Sequence, residues 1–165
     1  MNNIVLIGMP ASGKSTVGVV LAKATGLQFV DTDLLIQQQQ DEKLYKIIEK
    51  KGMDEFIRIE NDCVASLEAE HSVISTGGSV IFGEGAMKNL KKLGTVVFLE
   101  VREKELEKRL SNIKTRGVVM KENETLHDIV TERTPLYRKY ADVTVNTDGL
   151  DIEKTVEKII ELCGV

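Results

Sequence analysis

The chain has 165 residues, 42% of them hydrophobic and 29% charged, an ordinary composition that supports one sizeable core and leaves little room for a second domain. Acidic residues outnumber Lys and Arg by 26 to 22, and the basic ones are spread along the chain; this leaves no electrostatic footprint for nucleic acid or an anionic membrane and points to a small polar partner. Cys63 and Cys163 lack CxxC spacing, His71 and His127 are isolated, and no apolar run approaches the roughly 20 residues of a membrane span, so neither a disulfide framework, a zinc site nor a membrane anchor is indicated. The start, MNNIVLIGMP, enters a strand-like run without a basic leader, and the expectation is a cytoplasmic, monomeric protein.

The first element is the apolar run Ile4 to Ile7, read as a buried strand. GMPASGKST follows at once: Gly8, Gly13, Lys14 and Ser15 satisfy G-x-x-x-x-G-K-[ST], and Lys14 to Lys23 reads as a helix. Glycine lets the backbone turn its N–H groups inward, lysine reaches the β- and γ-phosphates, and the serine hydroxyl ligates magnesium at a helix N-terminus. Pro10, Ala11, Ser12, Gly13, Lys14, Ser15 and Thr16 are therefore expected to bind a nucleotide triphosphate with Mg2+. The loop alone does not separate a motor, a GTPase switch, a transporter ATPase and a small-molecule kinase. No N-K-x-D stretch reads guanine, no D-x-x-G stands where a switch needs it, and the chain is small for most motors, which leaves small-molecule phosphotransfer.

A second strand, Gln28 to Val30, leads into DTD, with Asp31 and Asp33 two apart at the mouth of the sheet. Phosphoryl transfer needs a metal clamp and an oriented acceptor, and a carboxylate beside the acceptor hydroxyl can take its proton. Asp31 is equally a favoured helix N-cap, and both readings stand. QQQQ at residues 37–40 reads as a solvated helix face. In DEFIRIEND, residues 54–62, the helical step puts Phe56, Ile59, Cys63 and Leu67 on one core-facing stripe and Arg58 nearly opposite, in water. Ile57 projects from the flank beside Glu60 and Val64.

The third strand, Val73 to Ser75, ends at the Gly77–Gly78 pair, and Thr95 to Leu99 is the fourth. REKELEKRL is a helix with i,i+4 charge pairs, among them Arg109 with Glu105. The polar stretch between Leu110 and Leu126 is long for a connection and marks a lid or a disordered segment, placed at about 111–125. LHDIVTERTPLYRKYAD resumes a helix that Pro135 should kink or restart, and Val143 to Val145 is the last strand. Strands alternating with helices give an α/β fold, a parallel sheet covered on both faces with ligands at the carboxyl ends of its strands.

In order and spacing, IVLIGMPASGKSTVGVVLAKATG, DTD, GMDEFIRIE, STGGSV and ERTPLYRKYAD resemble the shikimate kinase family over almost the whole chain. The resemblance implies a three-layer P-loop fold of the nucleoside monophosphate kinase type, one domain over residues 1–165 with a five-stranded parallel sheet and a mobile lid. It implies transfer from MgATP to the 3-hydroxyl of shikimate. Lys14 and Ser15 would serve nucleotide and metal, Asp31 would hold magnesium through water, and Asp33 would orient or deprotonate the acceptor hydroxyl. Gly77 and Gly78 would contact substrate, Arg133 would grip its carboxylate, Arg116 would reach ATP from the lid, and Arg109 would stack near adenine. By residue type alone, Arg133 reads as a surface helix residue and Arg116 as a solvated cation.

Three positions depart from the family pattern. Ser79 stands where a further glycine is common, putting a side chain where backbone should approach the acceptor. Arg116-Gly117-Val118-Val119 replaces Arg-Pro-Leu-Leu, so a proline is lost and a hinge gained. Ile57 occupies the place of a second carboxylate-binding arginine, which keeps another hydroxy acid or a polyol open as acceptor. A nucleotide-binding module without turnover is the reading of another class; the joint presence of Lys14, Ser15, Asp31, Asp33 and Arg116 argues against it.

Overall fold

Strand β1, Asn3–Ile7, is buried along its whole length, and its two faces feed two different cores. Val5 and Ile7 point into one, Ile4 and Leu6 into the other, the period-2 alternation of a strand covered on both sides. With β2 (Gln28–Asp31), β3 (Ser72–Ser75), β4 (Gly94–Glu100) and β5 (Val143–Asn146), it forms a five-stranded sheet in the order β2-β3-β1-β4-β5, every pair parallel. All five expected strands are present. The computed structural model describes residues 3–111, 121 and 123–165; Arg116, the departures at 117–119 and most of the expected lid lie outside the described residues.

On one face, α1 (Lys14–Thr25) and α8 (Ile152–Cys163) pack Val17, Leu21, Val156 and Ile159 against Ile4, Leu6, Val97 and Leu99. On the other, α5 (Glu84–Leu93) and α7 (Leu126–Tyr140) cover Val5, Ile7, Val96 and Phe98 with Met87, Leu90, Ile129 and Tyr137. Between β2 and β3 the chain makes α2 (Thr32–Gln40), α3 (Leu44–Lys51) and α4 (Met53–Ala65) around a satellite cluster of Ile36, Ile47, Phe56, Ile59 and Cys63. The remaining helix, α6 (Glu103–Ser111), follows β4. This is the three-layer α/β architecture, and β1 at its centre delivers the phosphate loop to the carboxyl edge of the sheet.

Two local expectations need correction. Helix α7 does not restart at Pro135 but continues through it to Tyr140. A helix-interior proline costs about 3 kcal/mol, and here α7 is held from both sides of that point. Its start is fixed by a reciprocal Thr125–Asp128 capping box, and Tyr137, beyond the proline, stacks on Phe98 with ring centroids 5.1 Å apart. Helix α4 ends at Ala65, so Leu67 reaches the core from beyond the helix rather than along its stripe. Both cysteines are free thiols, Cys63 buried and Cys163 half-buried, and burial pushes both thiols up.

Candidate active site

The phosphate loop leaves β1 and turns into α1 through Gly13, whose φ of 90° lies in the region that favours glycine. Ala11 sits at φ 63°, a position costly for a side-chain-bearing residue. Lys14 is buried, and its ammonium donates to the carbonyls of Gly8 and Met9 at 2.8 Å each, with Ser12 Oγ at 3.3 Å. Arg109 makes the expected pair with Glu105, Nε donating at 3.1 Å, and its Nη1 donates to the Ala11 carbonyl at 3.1 Å. The guanidinium thus ties α6 to the strained corner of the loop.

Asp31 is the N-cap of α2 that its residue type allowed. Oδ1 accepts the Asp33 N–H at 2.9 Å and caps α2, while Oδ2 accepts the Ser15 hydroxyl at 2.9 Å. Ser15 also lies 3.4 Å from Ser75 Oγ at the end of β3. The two hard oxygen donors are therefore joined at the N-terminus of α1, where the helix dipole favours negative charge.

Beside them, the Gly77–Gly78 turn follows β3 and packs where no side chain would fit. A Cβ on Gly77 would lie 2.5 Å from Glu60 Oε2 and 2.9 Å from Asp33 Oδ1; one on Gly78 would lie 2.7 Å from Pro10 Cδ. The turn thus joins the phosphate loop, Asp33 and α4. Tyr137 fixes it from α7 by donating its hydroxyl to the Gly78 carbonyl at 2.5 Å. Burial pushes that phenol far above its usual value, so it stays a neutral donor.

Arg133 is buried, with 3% of its surface exposed, on the inner face of α7 between Ile129 and Tyr137. Its guanidinium carbon lies 5.3 Å from the centroid of Phe82, in the 3₁₀ turn Val80–Phe82, a cation–π arrangement. The surface reading of this arginine is thereby set aside. Arg58 is the reverse case: it stays in water, donating to Glu55 at 3.0 and 2.5 Å and to Asp62 at 3.5 Å. Replacing it with alanine is expected to leave kcat and KM within about twofold of the parent in steady-state assays, because exposed pairs contribute little.

The residue that the sequence reading left aside is Glu60. It lies on the buried side of α4, 1% exposed, and accepts the Ser79 hydroxyl at 2.5 Å. Burial pushes its carboxyl up to about 7; the Ser79 hydrogen bond opposes the shift, Asp33 adds to it, and Arg133 and Lys14 oppose it. Ser79 itself is buried and turned toward α4, its hydroxyl bonded to that carboxyl. Ile57 packs against the satellite cluster. The signal for Glu60 was present as an acid four residues after Phe56 and four before Val64, on an otherwise apolar stripe.

The family model described as "Shikimate kinase" matches residues 10–163. A shikimate kinase of Thermodesulfovibrio yellowstonii is 37% identical over 98% of this chain and 94% of its own length. The chain belongs to the shikimate kinase family. A second shikimate kinase, from Mycobacterium avium, is 38% identical over 94% of this chain and 90% of its own length. Among solved structures, a shikimate kinase from Acinetobacter baumannii in complex with shikimate superposes with a TM-score of 0.89, at 31% identity, covering 98% of this chain and 92% of that one. Membership makes the protein a kinase with ATP as phosphoryl donor. No helix among the described residues is long and apolar enough to cross a membrane.

Proposed function

We propose that this protein transfers the γ-phosphoryl group of ATP to the 3-hydroxyl of shikimate. The observation that carries the reading is the Gly77–Gly78 turn, which packs against Pro10 of the phosphate loop and against Asp33 and is bonded by Tyr137 of α7, one helical turn after the buried Arg133. In this reading the loop from Pro10 to Thr16 cradles the phosphates, and Lys14 turns from the loop carbonyls onto the β- and γ-phosphates. Arg109, already tied to Ala11, borders the nucleotide, and Arg116 joins it from the lid.

The joined Ser15 hydroxyl and Asp31 carboxylate suit magnesium, a hard cation that takes few protein oxygens and shares its shell with phosphates and water. When bound, the ion supplies neutralisation of the charge that builds on the transferring group. Asp33 accepts the proton of the acceptor hydroxyl or orients it, and the turn positions that hydroxyl through backbone. Arg133 is the anchor for the carboxylate at the far end of the acceptor; guanidinium and carboxylate match as paired donors and acceptors.

Ile57 favours a second reading, a hydroxy acid or polyol that does not require two cationic anchors. An ADP-release assay coupled to a visible readout separates the two, run with shikimate beside other hydroxy acids and polyols. Shikimate is expected to give the largest kcat/KM in the panel. A larger value for another acceptor, or no ADP formation with shikimate, rejects the assignment.

A further inference from the structure

Among the described residues Glu60 is the only fully buried carboxylate, and the chemistry outlined above gives it no task. Its carboxyl lies under the glycine turn, Oε1 held by Ser79 and Oε2 against Gly77 with no hydrogen-bond partner among the described residues. Charged and titratable groups face it from several elements: Asp33 from α2, Lys14 from α1, Arg133 and Tyr137 from α7. Cys63 lies one turn on along α4 itself, and α3 and α5 face α4 with Ile47 and Ala86. A negative charge at Glu60 therefore sits behind both the acid that handles the acceptor hydroxyl and the arginine that anchors the acceptor.

An anion placed beside Arg133 repels an ionised Glu60 and leaves a protonated one undisturbed. We propose that acceptor binding is proton-linked through the Glu60–Ser79 pair: a proton on Glu60 tightens the hold on an anionic acceptor, and Ser79 is the positioning residue that keeps the carboxyl beneath the turn. This inference rests on the reading that Arg133 anchors a carboxylate. Ser79 and Ile57 then belong together. Where the second cation is missing, the pocket gains its anion selectivity by shedding a buried negative charge.

The direction of the pH effect follows. Glu60 titrates at about 7 in the free protein, and a bound anion raises that value further. By linkage, protonation strengthens acceptor binding by the same factor. Affinity is therefore fullest below about pH 7, falls as pH rises through the free-state value, and levels off above the bound-state value.

The test is the pH profile of steady-state constants with shikimate as acceptor. KM is expected to rise roughly tenfold between about pH 6 and pH 9, with kcat changing less. Glu60→Gln, which cannot ionise, should flatten the rise. Ser79→Ala removes a hydrogen bond that favours the charged form and should move the inflection to higher pH. A carbon-13 titration of the Glu60 carboxyl checks the proton directly, with a midpoint near 7 that climbs when acceptor is added. A flat wild-type KM, an unchanged inflection in either variant, or a carboxyl titrating in the ordinary carboxylate range overturns the proposal. Phosphorylation of shikimate with a pH-flat KM defeats the proton linkage alone. Absence of phosphorylation defeats the acceptor assignment, and the carboxyl titration, repeated with the acceptor selected from the panel, then decides the linkage.

Discussion

Arg133→Ala is expected to lower kcat/KM for shikimate by roughly three orders of magnitude while leaving ATP binding intact. Removing one partner from a buried charged hydrogen-bonded pair costs about 3–5 kcal/mol, and each 1.4 kcal/mol is about a tenfold change in rate. The arginine is 3% exposed and lies over Phe82, so water cannot readily take its place beside a bound carboxylate. The fold should tolerate the change, because Glu60, left without that positive neighbour, can take up a proton instead of remaining an uncompensated charge. Arg133→Lys is expected to recover little, since a point charge does not reproduce the planar fork. The measurement is steady-state kinetics beside a nucleotide-binding titration and a melting curve. A loss smaller than about tenfold, in a variant that melts normally, would remove Arg133 from the site.

The second large effect falls on turnover. Asp33→Asn should reduce kcat by roughly 10² to 10⁴, the usual range for a group that manages a proton in the transition state, with the KM for ATP little changed. Asparagine keeps the size of the side chain and can still donate or accept a hydrogen bond, so a loss confined to kcat separates proton handling from binding. The substitution carries a secondary signature as well. Asp33 raises the Glu60 value as a like charge, so its neutralisation should move the pH-sensitive limb of the acceptor KM downward. Single-turnover kinetics at saturating substrates read the first effect. An Asp33→Asn enzyme that retains wild-type turnover would show that the acid has no part in the chemistry.

What the sequence made legible was local. The strand before GMPASGKST and the helix after it are both written in consecutive residues, as are the five apolar runs that became the sheet. The helical step placed Arg58 in water correctly, because facing directions on one helix depend on residue spacing alone. Arg133 and Arg138, by contrast, lie five residues apart on the same helix and are indistinguishable by type. One is buried under the turn, and the other stays exposed, paired with Glu100. Choosing between them took the family resemblance, since the deciding contact, Phe82, lies some fifty positions away in the chain. Glu60 was hidden for the same reason. Its carboxyl acquires meaning from Ser79, Asp33, Lys14 and Arg133, which four separate segments bring together only when the sheet is assembled.

Gly78 sets how closely the turn after β3 approaches the phosphate loop. Its α-carbon rests so close to Pro10 that even one methyl group would lie 2.7 Å from the proline ring. The phosphate loop and the turn after β3 therefore meet with only the Pro10 ring between their backbones. Side chains can adjust by rotating about their bonds, but a backbone-to-ring contact has no such freedom. The spacing between loop and turn is set there by covalent geometry, so it stays fixed while the side chains around it rotate.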